Sequence, residues 1–377
     1  MIELLFYFSL FHIFFAYFGY PLVLILVGML RHVKVNRQSI FPPVTMIITA
    51  YNEEKRIAEK LENTLAQNYP KDKLQILVAS DSSTDSTNQI VMGFADRGIM
   101  LLPVAERRGK ENAQKEALKH ARGDILVFSD VATRIDLGGL KQLVDNFADP
   151  TIGCVSSEDR LVRKDGKPVG EGLYVRYEMC LRRLESKVSS LVGLSGSFFA
   201  ARKEVCRNFS ADMQSDFCTV LNSIKQGMRG VCDPDAIGYY LDVSDPGKEM
   251  DRKIRTILRG LTVFFRHGEM LNVLQYGLFS FQLLCHKLIR WLVPFSMVVA
   301  LVSSFFLAAN SYLYLVLFIL QVGFYLTALY LTFRSGSSNN LSTKIVEYFF
   351  SVNIAIIVAW WRYLRGVRVV MWTPSER

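Results

Sequence analysis

Long apolar runs lie toward both ends of the chain and enclose a stretch of mixed apolar and charged residues. Residues 4–30 and 291–333 carry no formal charge, whereas residues 40–270 have the composition of a soluble enzyme. Because about 20 apolar residues cross the hydrocarbon core of a bilayer, the first run predicts one membrane span and the second predicts two, joined by a polar turn at 310–311. The pattern therefore predicts a soluble domain between membrane helices.

Basic residues set the orientation of this arrangement. Arg31, Lys34 and Arg37 follow the first run, and the positive-inside rule places such residues on the cytosolic side. A cleaved signal peptide has the opposite order, with basic residues before its apolar core. We therefore expect a multi-pass protein of the inner or plasma membrane, with its soluble domain in the cytosol.

A third apolar segment, near the C-terminus, is shorter. About 14 uncharged residues separate Glu347 from Arg362, and a run of that length is more typical of an interfacial or re-entrant segment than of a span. We therefore expect three spans, with residues 347–365 packed at the cytosolic face. A fourth span would instead place Arg362, Arg365 and Arg368 outside.

Within the soluble stretch, apolar runs without alternation recur before segments of helical periodicity. The runs are VTMIITA (44–50), LQILVAS (74–80), IMLLPVA (99–105) and DILVFSD (124–130). Runs of this kind are typical of parallel strands that are buried on both faces. Four strand-then-helix units predict an α/β fold, in which ligands bind at the carboxyl ends of the strands.

Composition and charge narrow the function classes. The net charge of +9 suits an anionic membrane surface or an anionic nucleotide substrate, and we expect no nucleic acid partner. The six cysteines show neither a Cys-x-x-Cys pair nor zinc-type spacing, which is typical of reduced cysteines. No G-x-G-x-x-G follows the first strand, which disfavours a dinucleotide-binding oxidoreductase.

Four motifs accompany the predicted strands in order. They are AYNEE (50–54), VASDSSTDST (78–87), RRGKENAQKEAL (107–118) and DILVFSD (124–130). With these motifs and its flanking spans, the chain resembles the inverting family 2 glycosyltransferases of the GT-A fold, in the membrane-integrated branch that includes hyaluronan, chitin and cellulose synthases and bacterial exopolysaccharide enzymes. The resemblance implies a Rossmann-like domain that binds a nucleotide-diphosphate sugar.

The resemblance assigns the donor side of the site. It implies that Asp81 accepts an N–H of the nucleobase, with the ring of Tyr51 beside it, and that Glu53 contributes to substrate binding. Asp81 and Asp85 could equally cap the next helix, and Glu53 could complement the dipole of a first helical turn. Lys110 is implied to neutralise the donor diphosphate, with a solvated charge run as the alternative.

The resemblance also implies a metal cofactor. Family members hold Mg²⁺ or Mn²⁺ on an Asp-x-Asp after the fourth strand, where the cation stabilises the diphosphate leaving group. Here the segment reads SDVAT, so Asp130 is present and Ala132 replaces the second carboxylate. We expect Asp130 to be the metal ligand, with Thr133 as a helper, although alanine contributes no ligand of its own.

Inverting transfer is a direct displacement that needs a general base for the acceptor hydroxyl. The resemblance places this base in a motif that opens a helix, and MQSDFCTVLNSIKQG (213–227) matches that context. Asp216 is therefore the candidate base, with a helix-terminal carboxylate as the alternative interpretation. Gly196, in LSGSFFAARKEV (194–205), would let the backbone approach an acceptor sugar closely.

Polymer-forming members carry Gln-x-x-Arg-Trp at the membrane entrance of the site. The corresponding RKIRT (252–256) has Arg252 in place of Gln, keeps Arg255 and lacks the Trp. We assign both arginines to substrate binding, while the missing aromatic argues against long-chain processive synthesis. Apolar residues at helical spacing predict an interfacial amphipathic helix over 252–267.

A cluster of basic residues precedes the second predicted span. His286, Lys287 and Arg290 lie in HKLIRWLVP (286–294). They could hold a lipid phosphate or anchor the helix at the interface, and we favour the anchoring interpretation.

These patterns divide the chain into a first span with its basic flank (1–37), a cytosolic GT-A domain (38–250), interfacial helices (251–287), and two spans with a C-terminal interfacial or re-entrant helix (288–377). The expected function is sugar transfer from a UDP- or GDP-sugar to a membrane-associated glycan or lipid-linked acceptor. The alternatives are a processive polysaccharide synthase and a non-catalytic membrane scaffold. Because three spans are few for a pore-forming synthase, they favour a lipid-linked acceptor, or a homo-oligomer or translocation partner that supplies further helices.

Overall fold

The computed structural model describes residues 1–162, 173–241, 246–333 and 341–369. The strands are β1 (Val44–Ala50), β2 (Leu74–Asp81), β3 (Ile99–Val104), β4 (Ile125–Asp130), β5 (Thr133–Ile135), β6 (Ile152–Val162), β7 (Phe198–Arg202) and β8 (Arg229–Leu241). The helices are α1 (Ile2–Phe14), α2 (Tyr20–Leu30), α3 (Ile57–Leu65), α4 (Thr87–Met92), α5 (Lys110–Leu118), α6 (Gly139–Asp145), α7 (Leu173–Val188), α8 (Ser215–Lys225), α9 (Pro246–Arg266), α10 (Val273–Tyr276), α11 (Leu278–Leu283), α12 (Arg290–Ala308), α13 (Tyr312–Phe333) and α14 (Leu341–Leu364).

The eight strands form one sheet in the order β3-β2-β1-β4-β7-β6-β8-β5. The first four are parallel, and β7 then runs antiparallel between β4 and β6. Every residue of β1 is buried, as expected for an apolar strand covered on both faces. The predicted α/β class and the four predicted strands are confirmed.

The register of the parallel strands brings their polar ends to one edge. Thr49 near the end of β1 lies opposite Asp130 at the end of β4, and Asp81 at the end of β2 lies opposite Val104. Side chains that follow β1, β2 and β4 in sequence therefore share one edge of the sheet. This is the edge at which ligands bind in open α/β sheets.

Among the described residues, four helices are long and apolar enough to cross a membrane: Ile2–Leu30, Leu278–Ala308, Tyr312–Thr332 and Ser342–Leu364. The first three correspond to the predicted spans. The fourth covers the segment that we expected to lie at the interface, because the helix begins at Leu341, before Glu347, and ends at Leu364, after Arg362. Its 23 residues make it a fourth candidate span, so the choice between three and four spans stays a prediction.

The amphipathic helix predicted over 252–267 is α9, and much of its apolar face packs against protein. Ile254, Leu258 and Leu261 are buried in one cluster with Ala355 and Ala359 of α14. The apolar residues of α9 therefore pack against α14. We had expected them to contact the bilayer.

A buried ion cluster, formed by Glu178, Glu185, His286 and Arg290, joins α7 to the candidate span Leu278–Ala308. Arg290 Nη2 lies 2.6 Å from Glu178 Oε1, and His286 Nδ1 lies 2.7 Å from Glu185 Oε1. The Tyr20 hydroxyl also donates to Glu185 Oε1 at 2.7 Å. Burial alone would raise the pKa of Glu178, but Arg290 and His286 hold it well below its usual range. The cluster gives a structural role to His286 and Arg290, two of the three basic residues that we expected before the second span and that lie inside the candidate span Leu278–Ala308.

Candidate active site

The loops after β1 and β2 are held together by hydrogen bonds between side chains and backbone. Asn52 and Ser82 both have positive φ angles, of 51° and 56°. The Asn52 N–H donates to Ser83 Oγ at 3.1 Å, and the Thr84 N–H donates to Asn52 Oδ1 at 2.8 Å. These bonds fix the polar edge of the sheet before any ligand binds.

Asp85 caps the helix that follows β2. The Thr87 N–H donates to Asp85 Oδ1 at 3.0 Å, and the Glu54 N–H donates to Asp85 Oδ2 at 3.0 Å. Burial alone would raise the pKa of Asp85, but these hydrogen bonds lower it. The capping interpretation therefore applies to Asp85, as a helix N-terminus favours a carboxylate there.

Asp81 holds the loop that carries the basic motif. Its carboxylate is fully buried and accepts the N–H groups of Arg108 at 3.1 Å and Gly109 at 2.9 Å. Gly109 has φ 97°, which L side chains rarely adopt. The guanidinium carbon of Arg107 lies 3.7 Å from the centre of the Tyr51 ring. The predicted nucleobase contacts of Asp81 and Tyr51 thus stay predictions, because protein groups occupy both positions.

Lys110 connects the end of β4 to the acceptor-side loop. It is the first residue of α5, and its Nζ lies 2.5 Å from Asp130 Oδ1. The same ammonium donates to the carbonyl oxygen of Gly196 at 2.8 Å. The Lys110 side chain is buried, whereas that of Asp130 is 24% exposed. The Lys110 ammonium therefore lies where a negatively charged group of a ligand can approach from the exposed side of Asp130.

Asp216 lies directly against Gly196. A Cβ built on Gly196 would come within 3.1 Å of Asp216 Oδ2, so a side chain at this position would press on the carboxylate. Asp216 opens α8, where its Oδ1 accepts the Phe217 N–H at 3.0 Å and its Oδ2 accepts from Gln214 at 3.2 Å. The structure thus brings Lys110, Asp130, Gly196 and Asp216 together as one group, which we call the strand-end cluster.

Glu53 and Lys60 form a buried layer close to Asp130. Arg56 pairs with Glu53 at 2.6 Å. Burial raises the pKa of Glu53 against the effect of Arg56, and the charge of Asp130 raises it further. Lys60 donates to Ser129 Oγ at 2.7 Å and to the Thr133 carbonyl at 2.6 Å. Burial lowers the pKa of Lys60 to about 7, although Asp130 opposes the shift.

Lys60 was not identified from the sequence, although a signal existed. It occupies the buried stripe of α3 together with Ile57, Leu61 and Thr64. A lysine inside an apolar helical stripe usually has a buried polar partner. Here its partners are the residues that flank Asp130 in the β4–β5 turn.

The support of the acceptor-side loop was also not identified from the sequence. Ser195 donates from Oγ to Asp159 Oδ1 at 2.6 Å and from its N–H to Ser156 Oγ at 2.8 Å. Arg182 pairs with Asp159 at 3.6 Å. These contacts fix the residue before Gly196, so the position of the loop depends on β6 and α7.

The structure does not bring Arg252 into the strand-end cluster. Arg252 pairs with Glu249 of its own helix at 2.7 Å, and Tyr348 of α14 lies near it. Burial lowers the pKa of Arg255, and the neighbouring Arg259 lowers it further. Arg259 in turn pairs with Glu111, the residue after Lys110, so this face of α9 approaches the site through α5.

The residues around Asp130 fit a cation that is held mainly by substrate. In the described parts of the chain, no group of three or more His, Cys, Asp or Glu side chains is placed to hold a metal ion. Asp130 offers one partly exposed carboxylate, and the buried Thr133 Oγ1 has no hydrogen-bond partner among the described residues. Mg²⁺ is often bound by one or two carboxylates together with substrate phosphates. One protein carboxylate is therefore compatible with a cation that arrives with a diphosphate.

Comparison with known proteins shows what the central part of the chain is similar to. Residues 45–209 match the family described as Glycosyl transferase family 2. The poly-beta-1,6-N-acetyl-D-glucosamine synthase of Staphylococcus aureus strain COL is 27% identical over 165 residues, which are 42% of this chain and 39% of that relative. The synthase of the same name from Staphylococcus epidermidis is 24% identical over 170 residues, which are 44% of this chain and 40% of that relative. The chain thus matches about two fifths of the length of these curated relatives.

One solved structure is similar over almost the whole chain. The mannosyltransferase PcManGT from Pyrobaculum calidifontis, in complex with GDP-Man and Mn²⁺, superposes with a TM-score of 0.75 at 25% identity. The superposition covers 97% of this chain and 99% of that one. The similarity therefore extends from the GT-A domain into the flanking helices.

Proposed function

We propose, from the premise that residues 45–209 are a glycosyltransferase family 2 domain, that this protein is an inverting glycosyltransferase of a membrane. It would transfer a sugar from a nucleotide-diphosphate donor to a glycan or lipid-linked acceptor. The observation that carries the proposal is the strand-end cluster, in which Lys110 contacts both Asp130 and Gly196 while Asp216 contacts Gly196.

The cluster suits a single displacement at the anomeric carbon. Asp216 would take the proton of the acceptor hydroxyl as that oxygen attacks, while the bond between the sugar and the diphosphate breaks. Lys110 would neutralise the negative charge that develops on the leaving diphosphate. A divalent cation at Asp130, when bound, would neutralise further charge on the same group. The acceptor would approach beside Gly196, where no side chain blocks the carboxylate.

Transfer of a single sugar is the form of the reaction that we favour. RKIRT at 252–256 lacks the Trp of polymer-forming members, and Arg252 is paired with Glu249. The whole-length likeness is to a protein described as a mannosyltransferase. The polymer synthases among the relatives keep a processive synthase as the second candidate.

A panel of radiolabelled nucleotide sugars, supplied to membranes that contain the protein, tests this function. We expect product from at least one UDP- or GDP-sugar, and a lipid-extractable product would favour single transfer over a high-mass polymer. Asp216→Asn should lower the rate by about 10² to 10⁴, the usual contribution of general base catalysis.

Asp212→Asn is the matched control. Asp212 lies just before the same helix, is 47% exposed and pairs with Arg266, so its loss should leave the rate close to wild type. Wild-type protein that neither transfers nor hydrolyses any sugar of the panel would indicate a non-catalytic scaffold. Equal rates in wild type and Asp216→Asn would remove Asp216 as the base.

A further inference from the structure

We propose that Lys287 binds the phosphate that links a lipid to the acceptor sugar, next to Asp216. This inference rests on the proposed transferase function and specifies its acceptor. Lys287 lies in the π-helical turn Leu284–Ile289 inside the candidate span Leu278–Ala308. Its Nζ lies 5.0 Å from the centre of the Phe217 ring, and Phe217 directly follows Asp216. A cation from a membrane helix thus reaches the helix that carries the candidate base.

The same ammonium borders the acceptor-side loop. It lies 3.6 Å from the point that a Cβ on Gly193 would occupy, three residues before Gly196. It is also close enough to Glu178, Glu185 and Asp216 for the charges to interact. Lys287 therefore borders the same loop, at 193–196, and the same start of α8 as Asp216.

The π-helical turn separates Lys287 from its basic neighbours. His286 and Arg290 turn toward α7, where they pair with Glu185 and Glu178 in the buried ion cluster. Within the described residues, the contact of the Lys287 ammonium is the Phe217 ring and not a carboxylate. Single π-helical turns often occur at functional sites. Among the described residues, the Lys287 ammonium thus forms no direct ion pair, although Glu178 and Glu185 act on it at longer range.

A partly buried cation at a membrane helix is stabilised most by an anion that pairs with it directly. A phosphate held by a lipid satisfies this requirement, because it enters from the bilayer side and accepts charge-assisted hydrogen bonds from an ammonium. If the phosphate is bound at Lys287, the sugar attached to it lies between Lys287 and Asp216. A hydroxyl on the far side of that sugar would then face the candidate base.

Binding of polyprenyl phosphate, compared with the uncharged polyprenol, tests the proposal in phosphatidylcholine nanodiscs. We expect the wild type to prefer the phosphate, and Lys287→Gln to weaken phosphate binding about tenfold or more, the usual effect of removing a hydrogen bond to a charged group. Lys287→Arg should retain most of the affinity. Lys253→Gln is the control, since Lys253 is a lysine of similar setting that donates to Ser351 at 3.0 Å.

Each other outcome would contradict the proposal. Unchanged phosphate binding in Lys287→Gln would show that the charge is not used. Equal competition by phosphatidic acid would indicate a site for membrane phospholipid instead of an acceptor. A lower melting temperature together with lost donor hydrolysis in both Lys287 variants would indicate a structural role. Because binding is measured without a sugar donor, failure of the transferase assay and failure of this inference remain distinguishable.

Discussion

The protein contains two clusters of opposite charges that differ in how each charge is balanced. In the buried ion cluster, Glu178 pairs with Arg290, Glu185 pairs with His286 and the Tyr20 hydroxyl, and the Glu185 side chain is 0% exposed. In the strand-end cluster, Lys110 pairs with Asp130, whose side chain is 24% exposed, and Asp216 has no cation within ion-pair distance among the described residues. The charges of the first cluster are shielded from solvent, whereas the second cluster is partly exposed.

The difference teaches which charges serve structure and which are available for chemistry. A buried pair must be matched within the protein, because an orphaned charge there is strongly destabilising. A partly exposed group can exchange its protein partner for a substrate group at little cost, since water and ligand both reach it. The comparison predicts that variants of the buried cluster change stability, while variants of the strand-end cluster change the rate.

The largest effect on this comparison is expected from Arg290→Met. This change leaves Glu178 buried without its main partner, which should lower the free energy of unfolding by about 3 to 5 kcal/mol. Thermal unfolding in detergent measures it. The double variant Glu178→Gln/Arg290→Met should recover part of the loss, because it removes the orphaned charge. If the double variant were as unstable as the single one, the ion pair would not be the cause.

An intermediate effect is expected from Gly196→Ala. The added methyl would lie 3.1 Å from Asp216 Oδ2, so the carboxylate must move, and misplacement of a reacting group lowers kcat by about 10- to 100-fold. The melting temperature should change little. Gly268→Ala is the control, since nothing lies within 4 Å of a Cβ there. A normal kcat in Gly196→Ala would mean that Asp216 need not hold this position.

The smallest effect is expected at Lys60. Its ammonium is buried, like the groups of the buried ion cluster, but its partners are the neutral oxygens of Ser129 and Thr133. Its pKa is lowered by burial to about 7 from 10.5, so between these pH values the unfolded chain binds one more proton than the folded one. The free energy of unfolding should therefore rise with pH in this window, by at most about 1.4 kcal/mol per pH unit from this group.

Lys60→Met tests this by removing the titration. Melting temperatures measured from pH 7 to pH 9 should rise less steeply with pH in the variant than in the wild type. The variant also leaves Ser129 Oγ and the Thr133 carbonyl without their donor, so its stability should be lower at pH 7. Identical pH slopes would show that Lys60 stays protonated throughout this range.

Much of the fold was predictable because its signals are local. The runs at 44–50 and 74–80 are mainly apolar without alternation, and this pattern is typical of strands buried on both faces. The start of α8 at Ser215 was predictable, because a carboxylate such as Asp216 is favoured in the first turn of a helix. The apolar face of α9 was predictable as well. Its packing against α14 was not, because an apolar face in the sequence fits a protein surface and a lipid surface equally well.

The candidate site was predictable to a lesser degree. Motif order placed Asp130, Lys110 and Asp216 on the right segments, and the structure brings these residues together. Their partners were not predictable: Asp81 accepts two backbone N–H groups of the basic loop, and Arg252 turns to Glu249. Such pairings depend on rotamers and on distances between segments far apart in the chain.

The sequence by itself determined where apolar runs place strands and membrane helices, and which polar residues follow each strand. Only the tertiary structure decided which partner neutralises each charge, including the separation of Lys287 from His286 and Arg290. The physical reason is that hydrophobic burial follows periodicity along the chain. The energy of a charge instead depends on the groups within a few ångströms of it, and these groups come from residues that are distant in sequence.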